Sequence, residues 1–334
     1  VSPRRSSEIV VPEPDPERYR AATDLAAHAP DRAVVSNVLC GTAGWTDPTL
    51  VKSGAFYPKK TMSARERLEH YAHAFSFVEV DATYYSLLPP ENAVHWLEWT
   101  PPTFVFDVKA HPILTAHPID VVRLPPDLRA ACEAAGHVKR VYPERLSEDL
   151  RSEIEGRFRL LLEPLIKAER LGAVLLQFPQ WFVPKRENVR HIEELAMRWP
   201  DVPLAVEFRN GSWLDERGRQ RTLDLLARHH ITYVCVDEPQ LPASVPALTA
   251  VTNPELAIVR FHGHNADAWR KRGATVHERF NYLYVPDELR GWAGEVRTLA
   301  KQATSVHATF NNCVRDYAVV NAKDLAALLS EIPA

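Results

Sequence analysis

The chain is predicted to be an α/β protein folded as a (β/α)8 barrel of the TIM type, and three observations carry that expectation. Eight short apolar runs punctuate the sequence, at 39–45, 77–85, 104–111, 173–179, 204–209, 232–239, 257–263 and 306–312. They are rich in β-branched residues, as expected of parallel strands buried on both faces. Nearly every run ends in a charged or amide residue, and Glu79 to Lys109, Gln177 to Glu207 and Glu207 to Asp237 are each 30 residues apart. That interval is about one strand–helix–strand unit. Helical periods between the runs supply the crossovers, so the polar strand ends gather on the C-terminal face, where such barrels carry their sites.

The elements follow in order. Residues 1–37 are rich in proline and charge and read as a flexible extension, with a short helix near Arg18–His28. The barrel domain is expected over 38–334. RERLEHYAHAF (65–75) sets Leu68, Tyr71, Ala72 and Phe75 on one helical face. NAVHWLEWT (92–100) is a second short helix, stopped by Pro101 and Pro102. The proline-rich stretch 112–146 is too long for an ordinary connection and reads as an insertion. Residues 147–172 form a long helix, with Ser147 as N-cap and Gly172 as its end. Crossover helices are expected at 186–199 and 215–230. Pro239, Pro242 and Pro246 preclude a long sixth helix, which leaves the barrel irregular there. A second long loop spans 263–285, and helices at 286–302 and 322–331 complete the chain.

Composition narrows the function classes. The 334 residues, 46% of them hydrophobic, suffice for a large core. Forty basic and 43 acidic residues give a net charge of −3, which argues against an extended nucleic-acid surface. Cys40, Cys132, Cys235 and Cys313 lack the close spacing of zinc or redox motifs and are expected as unpaired thiols. An apolar signal region and a run of about 20 apolar residues are both missing, so a soluble, cytoplasmic protein is expected. P-loop, GxGxxG, GxSxG and HExxH motifs do not occur.

The chemistry is expected at the strand ends. Glu79, Asp81 and Thr83 share one strand parity, so two carboxylates face one side, able to hold a divalent cation or share a proton. A lumen lysine, Lys109, needs a partner among Glu79, Asp81 and Glu207, or serves as a base, nucleophile or anion anchor. Glu207 and Arg209 repeat the carboxylate-plus-cation arrangement; Arg209 either clamps an anion or locks Glu207. Asp237, Arg260 and His262 end the next two strands, and Asn311 and Asn312 the last. His262 is the histidine best placed for proton transfer or metal ligation. Trp45, Tyr84, Tyr85, Trp181, Trp213 and Trp269 follow strand ends and are candidates for an aromatic wall.

The same segments resemble the domain-of-unknown-function 72, or YecE-like, family. The resemblance rests on GTAGW (41–45) with FYP (56–58), FVEVDATYY, FDVKAH and LLQFP (175–179), and on EFRNGSW (207–213), RFHGH (260–264), FNN (310–312) and NA (321–322). It runs from Leu39 to Leu329 and implies a TIM-type barrel with a polar cleft, likened to sugar isomerases on fold alone. Glu79, Lys109, Gln177, Glu207, Arg209, Asp237, Arg260, His262, Asn311 and Asn312 fall on the family's polar motif positions. Asp81 and Ala82 replace an Asn–Ser pair, CVRDYA replaces a glycine-containing turn, and 112–146 is longer than is typical.

Three functions are compatible with these residues. The first is an isomerase- or epimerase-like enzyme acting on a small polar or anionic ligand of the sugar or sugar-phosphate type. Glu79 or Glu207 would move the proton, with Lys109, Asp237 and His262 as further catalytic candidates. Asp81, Gln177, Arg209, Arg260, Asn311, Asn312, Trp45 and Tyr84 would bind the ligand. The second is a metal-dependent phosphoester hydrolase, its divalent cation held by Glu79, Asp81, Glu207, Asp237 and His262. The third is a non-catalytic barrel that binds a ligand or partner.

Overall fold

The computed structural model describes residues 11–331. Its eight barrel strands are β1 (Val38–Ala43), β2 (Phe77–Val80), β3 (Val105–Lys109), β4 (Leu171–Gln177), β5 (Leu204–Glu207), β6 (Thr232–Asp237), β7 (Leu256–Phe261) and β8 (Ser305–Phe310). Each pairs in parallel with the next, and β8 returns to β1, so the barrel is closed. Closure leaves no barrel edge for another chain to pair with. The expected TIM-type architecture is thus present.

The second strand is shorter than its apolar run. It ends at Val80, and Ala82–Tyr85 turns into a helix on which the buried Thr83 hydroxyl donates to the carbonyls of Val80 and Lys109. Asp81 therefore lies beyond the strand, and the parity assumed for Glu79, Asp81 and Thr83 does not extend past Glu79.

Crossover helices sit where the 3.6-residue period places them. Ala64–Ala74 begins with a capping box between Ser63 and Glu66 and buries Leu68, Tyr71 and Ala72. The Tyr71 hydroxyl accepts from the amide of Thr42 and donates to the carbonyl of Phe77, tying helix to barrel. Glu148–Lys167 is capped by Ser147 as expected, but it ends at Lys167.

Gly172 belongs instead to β4, where it faces the lumen. A Cβ there would overlap a carboxylate oxygen of Asp107 and come within 2.7 Å of His307 and Val105. Those neighbours are fixed: the His307 ring lies 4.6 Å from Phe77, and its Nδ1 bonds Asp107 at 3.0 Å. Gly172→Ala is expected to destabilise by about 1–3 kcal/mol, the usual cost of overpacking, as a lower denaturation midpoint. An unchanged midpoint would show that the Asp107–His307 pair can move aside.

The chain segments flanking the barrel are packed. Pro16–Ala26 is a helix capped by Asp15, and it lies on the C-terminal helix Tyr317–Ser330. Ala22 joins Leu283, Val314, Tyr317 and Val320 in a separate apolar cluster, and the Tyr19 hydroxyl donates to Asp316 at 2.7 Å. The described part of the expected flexible extension is thus an ordered cover, while 1–10 lie outside the described residues. This cover explains why Tyr317–Ser330 is buried on nearly all sides and begins before residue 322.

The 112–146 insertion has structure of its own. Ile119–Asp120 pairs with Arg140–Val141, and the helix Pro126–Ala134 buries Leu128 and Cys132. Segment 263–285 carries the short helices Ala266–Arg270 and Val276–Arg279. Pro239 to Glu255 contains no helix, as its prolines require. All four cysteines are unpaired thiols, and no described helix is long and apolar enough to cross a membrane.

Candidate functional site

At the C-terminal face of the barrel, one guanidinium organises the floor. Arg260 projects from β7 and is fully buried. Its Nε and Nη2 donate to the two carboxylate oxygens of Glu79 on β2, at 2.8 and 2.6 Å, and its Nη1 donates to Glu207 on β5. The fork matches a carboxylate's two oxygens, which is why arginine and not lysine suits this position.

Glu207 is saturated with donors. Besides Arg260 on Oε2, its Oε1 accepts from Gln177 at 2.7 Å, Arg209 at 3.1 Å and His262 at 3.2 Å. Burial raises its proton affinity, but Arg260, His262 and Arg209 together hold the carboxyl well below the usual range. It is a buried anion held by four donors, three of them on Oε1. Glu79 differs: burial pushes its carboxyl up to about 8, against the opposite pull of Arg260. Two carboxyls sharing one cation therefore diverge, which is how environment separates a fixed anion from a proton carrier.

His262 is locked between neighbours. A carboxylate only accepts, so Nε2 carries the hydrogen toward Glu207; Nδ1 then accepts from the Asn311 amide at 3.0 Å. Burial lowers its pKa to about 3, so the ring is neutral and both nitrogens are engaged. The Asn311 carbonyl oxygen is the part of this pair left for a ligand.

Above the floor two cations rest on aromatic faces. Lys109 Nζ lies 3.4 Å from Asp81 and 5.1 Å from the centre of the Tyr84 ring. Arg209 stacks over Trp269 at 4.8 Å, and its Nη1 pairs with Glu238 at 2.9 Å. Trp269, with Phe280 beside it, comes from segment 263–285, which also reaches Asp47 beyond β1 through His277 at 3.1 Å. Asp237 accepts from the Tyr284 hydroxyl and pairs with His264 at 2.9 Å, raising that histidine's pKa through the hydrogen bond. It serves the base of this segment, apart from the carboxylates that Arg260 bridges.

Several candidates are turned elsewhere. Asn312 donates to the carbonyl of Tyr282 and to Asn321, which in turn holds Tyr284 and Asp324. It ties β8 to the C-terminal helix. Trp45 packs edge-on against Trp96 at 6.1 Å, and Trp213 stacks on Phe208 under a donated bond to the carbonyl of Phe182. Glu238, His264, Phe280 and His117 are site neighbours absent from the strand-end reading. Two of them carried a signal: Glu238 as the acidic residue next to Asp237, and His264 as the end of the RFHGH segment.

The donor set does not fit a metal. Glu79 and Glu207 are bridged by Arg260, Asp81 faces Lys109, Asp237 is held by Tyr284 and His264, and His262 has both nitrogens engaged. Among the described residues, no three His, Cys, Asp or Glu side chains converge on a point where a cation would sit.

Known proteins share this chain's sequence and fold. A family model described as "Protein of unknown function DUF72" matches residues 39–333. The UPF0759 protein YunF of Bacillus subtilis (strain 168) is 32% identical over 296 residues, covering 87% of this chain and 94% of YunF. The crystal structure of a DUF72 family protein from Thermotoga maritima MSB8 is similar at 31% identity with a TM-score of 0.69, over 88% of this chain and 99% of that one. Another, from Enterococcus faecalis V583, is similar at 27% identity with a TM-score of 0.72, over 89% and 97% of the respective chains. With the barrel, its polar floor and nearly the whole of the chain after Val38 accounted for, the protein belongs to the DUF72 family.

Proposed function

We propose that this barrel is an enzyme, isomerase- or epimerase-like, acting by acid/base chemistry on a small anionic ligand of the sugar or sugar-phosphate type. The observation that carries the reading is the division of Glu79 and Glu207 around Arg260. A carboxyl pushed to about 8 holds or releases a proton near neutral pH, as a general acid or base must. Glu79 exchanges the proton, Lys109 and Arg209 hold the anion, and the Asn311 carbonyl orients a hydroxyl. The unpaired thiols fit a reducing, cytoplasmic setting.

The test is to incubate the protein with phosphorylated and carboxylated sugars in deuterated water and follow carbon-bound deuterium by NMR. Incorporation into one class of sugar is expected. Binding without any incorporation or rearrangement across the panel would make the barrel a binding protein and sink the enzymatic reading.

Arg209→Lys is a second check. Lysine cannot lie flat on Trp269 while offering spare in-plane donors, so the affinity for the identified anion should fall about tenfold with the fold intact. Unchanged affinity would leave Arg209 as a lock on Glu207 and Glu238 alone.

A further inference from the structure

We infer that Lys109, Arg209 and His117 form a subsite for a dianionic group such as a phosphate monoester, with His117 taking up a proton as the dianion binds. The inference rests on the anionic-ligand reading above and adds both a residue and a ligand charge to it.

Unspent donors point to the dianion. The Lys109 side chain is only 11% exposed, yet its ammonium makes no hydrogen bond among the described residues; its nearest counter-charge is Asp81 at 3.4 Å. Arg209, at 16% exposed, commits Nη1 to Glu207 and Glu238 and leaves Nε and Nη2 without a described partner. His117 Nδ1 is bonded to the Thr115 hydroxyl at 3.0 Å, which leaves Nε2 to a ligand. None of these donors is sealed from solvent, so each is open to an anion arriving at the mouth.

These groups share one wall. The His117 ring meets Tyr84 edge-on at 5.4 Å, and the same Tyr84 ring carries Lys109 on its face. On the other side His117 contacts Trp181 at 5.7 Å, in the loop after β4, beside the β5 end that supplies Arg209. The charged groups acting on His117 are Lys109 and Arg209, and its ring meets Tyr84, Trp181 and the Thr115 hydroxyl. Burial, followed by the repulsion of Lys109 and then Arg209, depresses its pKa to about 4, so the ring is neutral in the free protein. A dianion between the cations reverses the sign of the local field, which favours the imidazolium. The third donor thus becomes charged only when the ligand is present, and a monoanionic carboxylate supplies half the charge to drive it. His117 lies on the 112–146 insertion, so this length of chain has a role at the mouth.

Sulfate is the cleanest probe, because it remains a dianion across the pH range in question. Its binding to the full chain is measured by calorimetry at pH 6.5 in buffers of different ionisation enthalpy, with imidazole NMR signals followed in parallel. Wild type should take up a proton on binding, with the His117 resonance moving to the imidazolium position. His117→Gln, which keeps a side-chain donor but cannot titrate, should bind about tenfold more weakly without proton uptake. Uptake that persists in His117→Gln places the proton elsewhere and overturns the inference while leaving the acid/base reading in place. Sulfate binding with no uptake overturns it equally. No sulfate binding even at high millimolar concentration removes the anion site from both readings, whereas deuterium incorporation into an uncharged sugar would still support the enzyme.

Discussion

Arg260→Met is expected to lower the stability of the fold by about 3–5 kcal/mol, the range seen when one partner of a buried ion pair is removed. Against a typical total of about 5–15 kcal/mol, that loss places the variant near the threshold of folding at physiological temperature. Methionine keeps most of the volume, so the deficit is electrostatic: Glu207 loses its Oε2 donor, and Glu79 loses both of its own. The pH dependence identifies the cause. Glu207 has a depressed pKa in the folded protein, so its contribution is present above the unfolded value and is lost as pH falls through the folded one. Arg260→Met removes much of that depression. The gap between variant and wild type should therefore be widest at neutral pH and begin to close only below about pH 4.5, as pH falls toward the folded value. Urea unfolding across this range measures it, and a gap independent of pH would mean that the loss is one of packing.

The legibility of this molecule follows from which features are periodic. Strands buried on both faces cannot hide in composition, and each of the eight runs overlaps a barrel strand. Parity along those strands brought Glu79, Lys109, Gln177, Glu207, Arg260, His262 and Asn311 to the lumen. The same rule sends Asn312 the other way from Asn311, as observed, although a pair of adjacent amides invites a shared role. Parity failed at Asp81 because the backbone turns helical after Val80, a change with no local breaker in VDATYY. Gly172 misled for a related reason: glycine marks both helix ends and close backbone approaches, and only the positions of Asp107 and His307 decide between them. Residues held by loops, such as His117, Glu238 and Phe280, have no period to read. Their relation to the site is tertiary. Pairing was equally hidden, because Arg260 could have met any carboxylate in the lumen, and its grip on both Glu79 and Glu207 depends on strand tilt and barrel closure.

Glu79→Gln carries the largest functional expectation and exposes a conflict between stability and chemistry. Glutamine imitates the protonated carboxyl: one oxygen still accepts from Arg260, and the volume is unchanged, but no proton can be exchanged. Turnover should fall by about 100- to 10,000-fold, the usual contribution of a positioned acid or base. Stability should move the opposite way at high pH. Glu79 has a folded pKa of about 8, above its unfolded value, so its proton stabilises the fold fully below the unfolded pKa. That stabilisation is lost as pH rises toward 8, and beyond it the wild type holds a buried anion in excess of its cations. The variant has no such loss. The two proteins should match near pH 4, and Glu79→Gln should be the more stable at pH 9, by on the order of 5 kcal/mol. Denaturation at both pH values and turnover on the same preparation separate the possibilities. A variant that is inactive yet more stable at pH 9 places a strained proton carrier at residue 79. One that is inactive and less stable at both pH values would make Glu79 a structural partner of Arg260, and the proton would have to be carried by another group at the mouth.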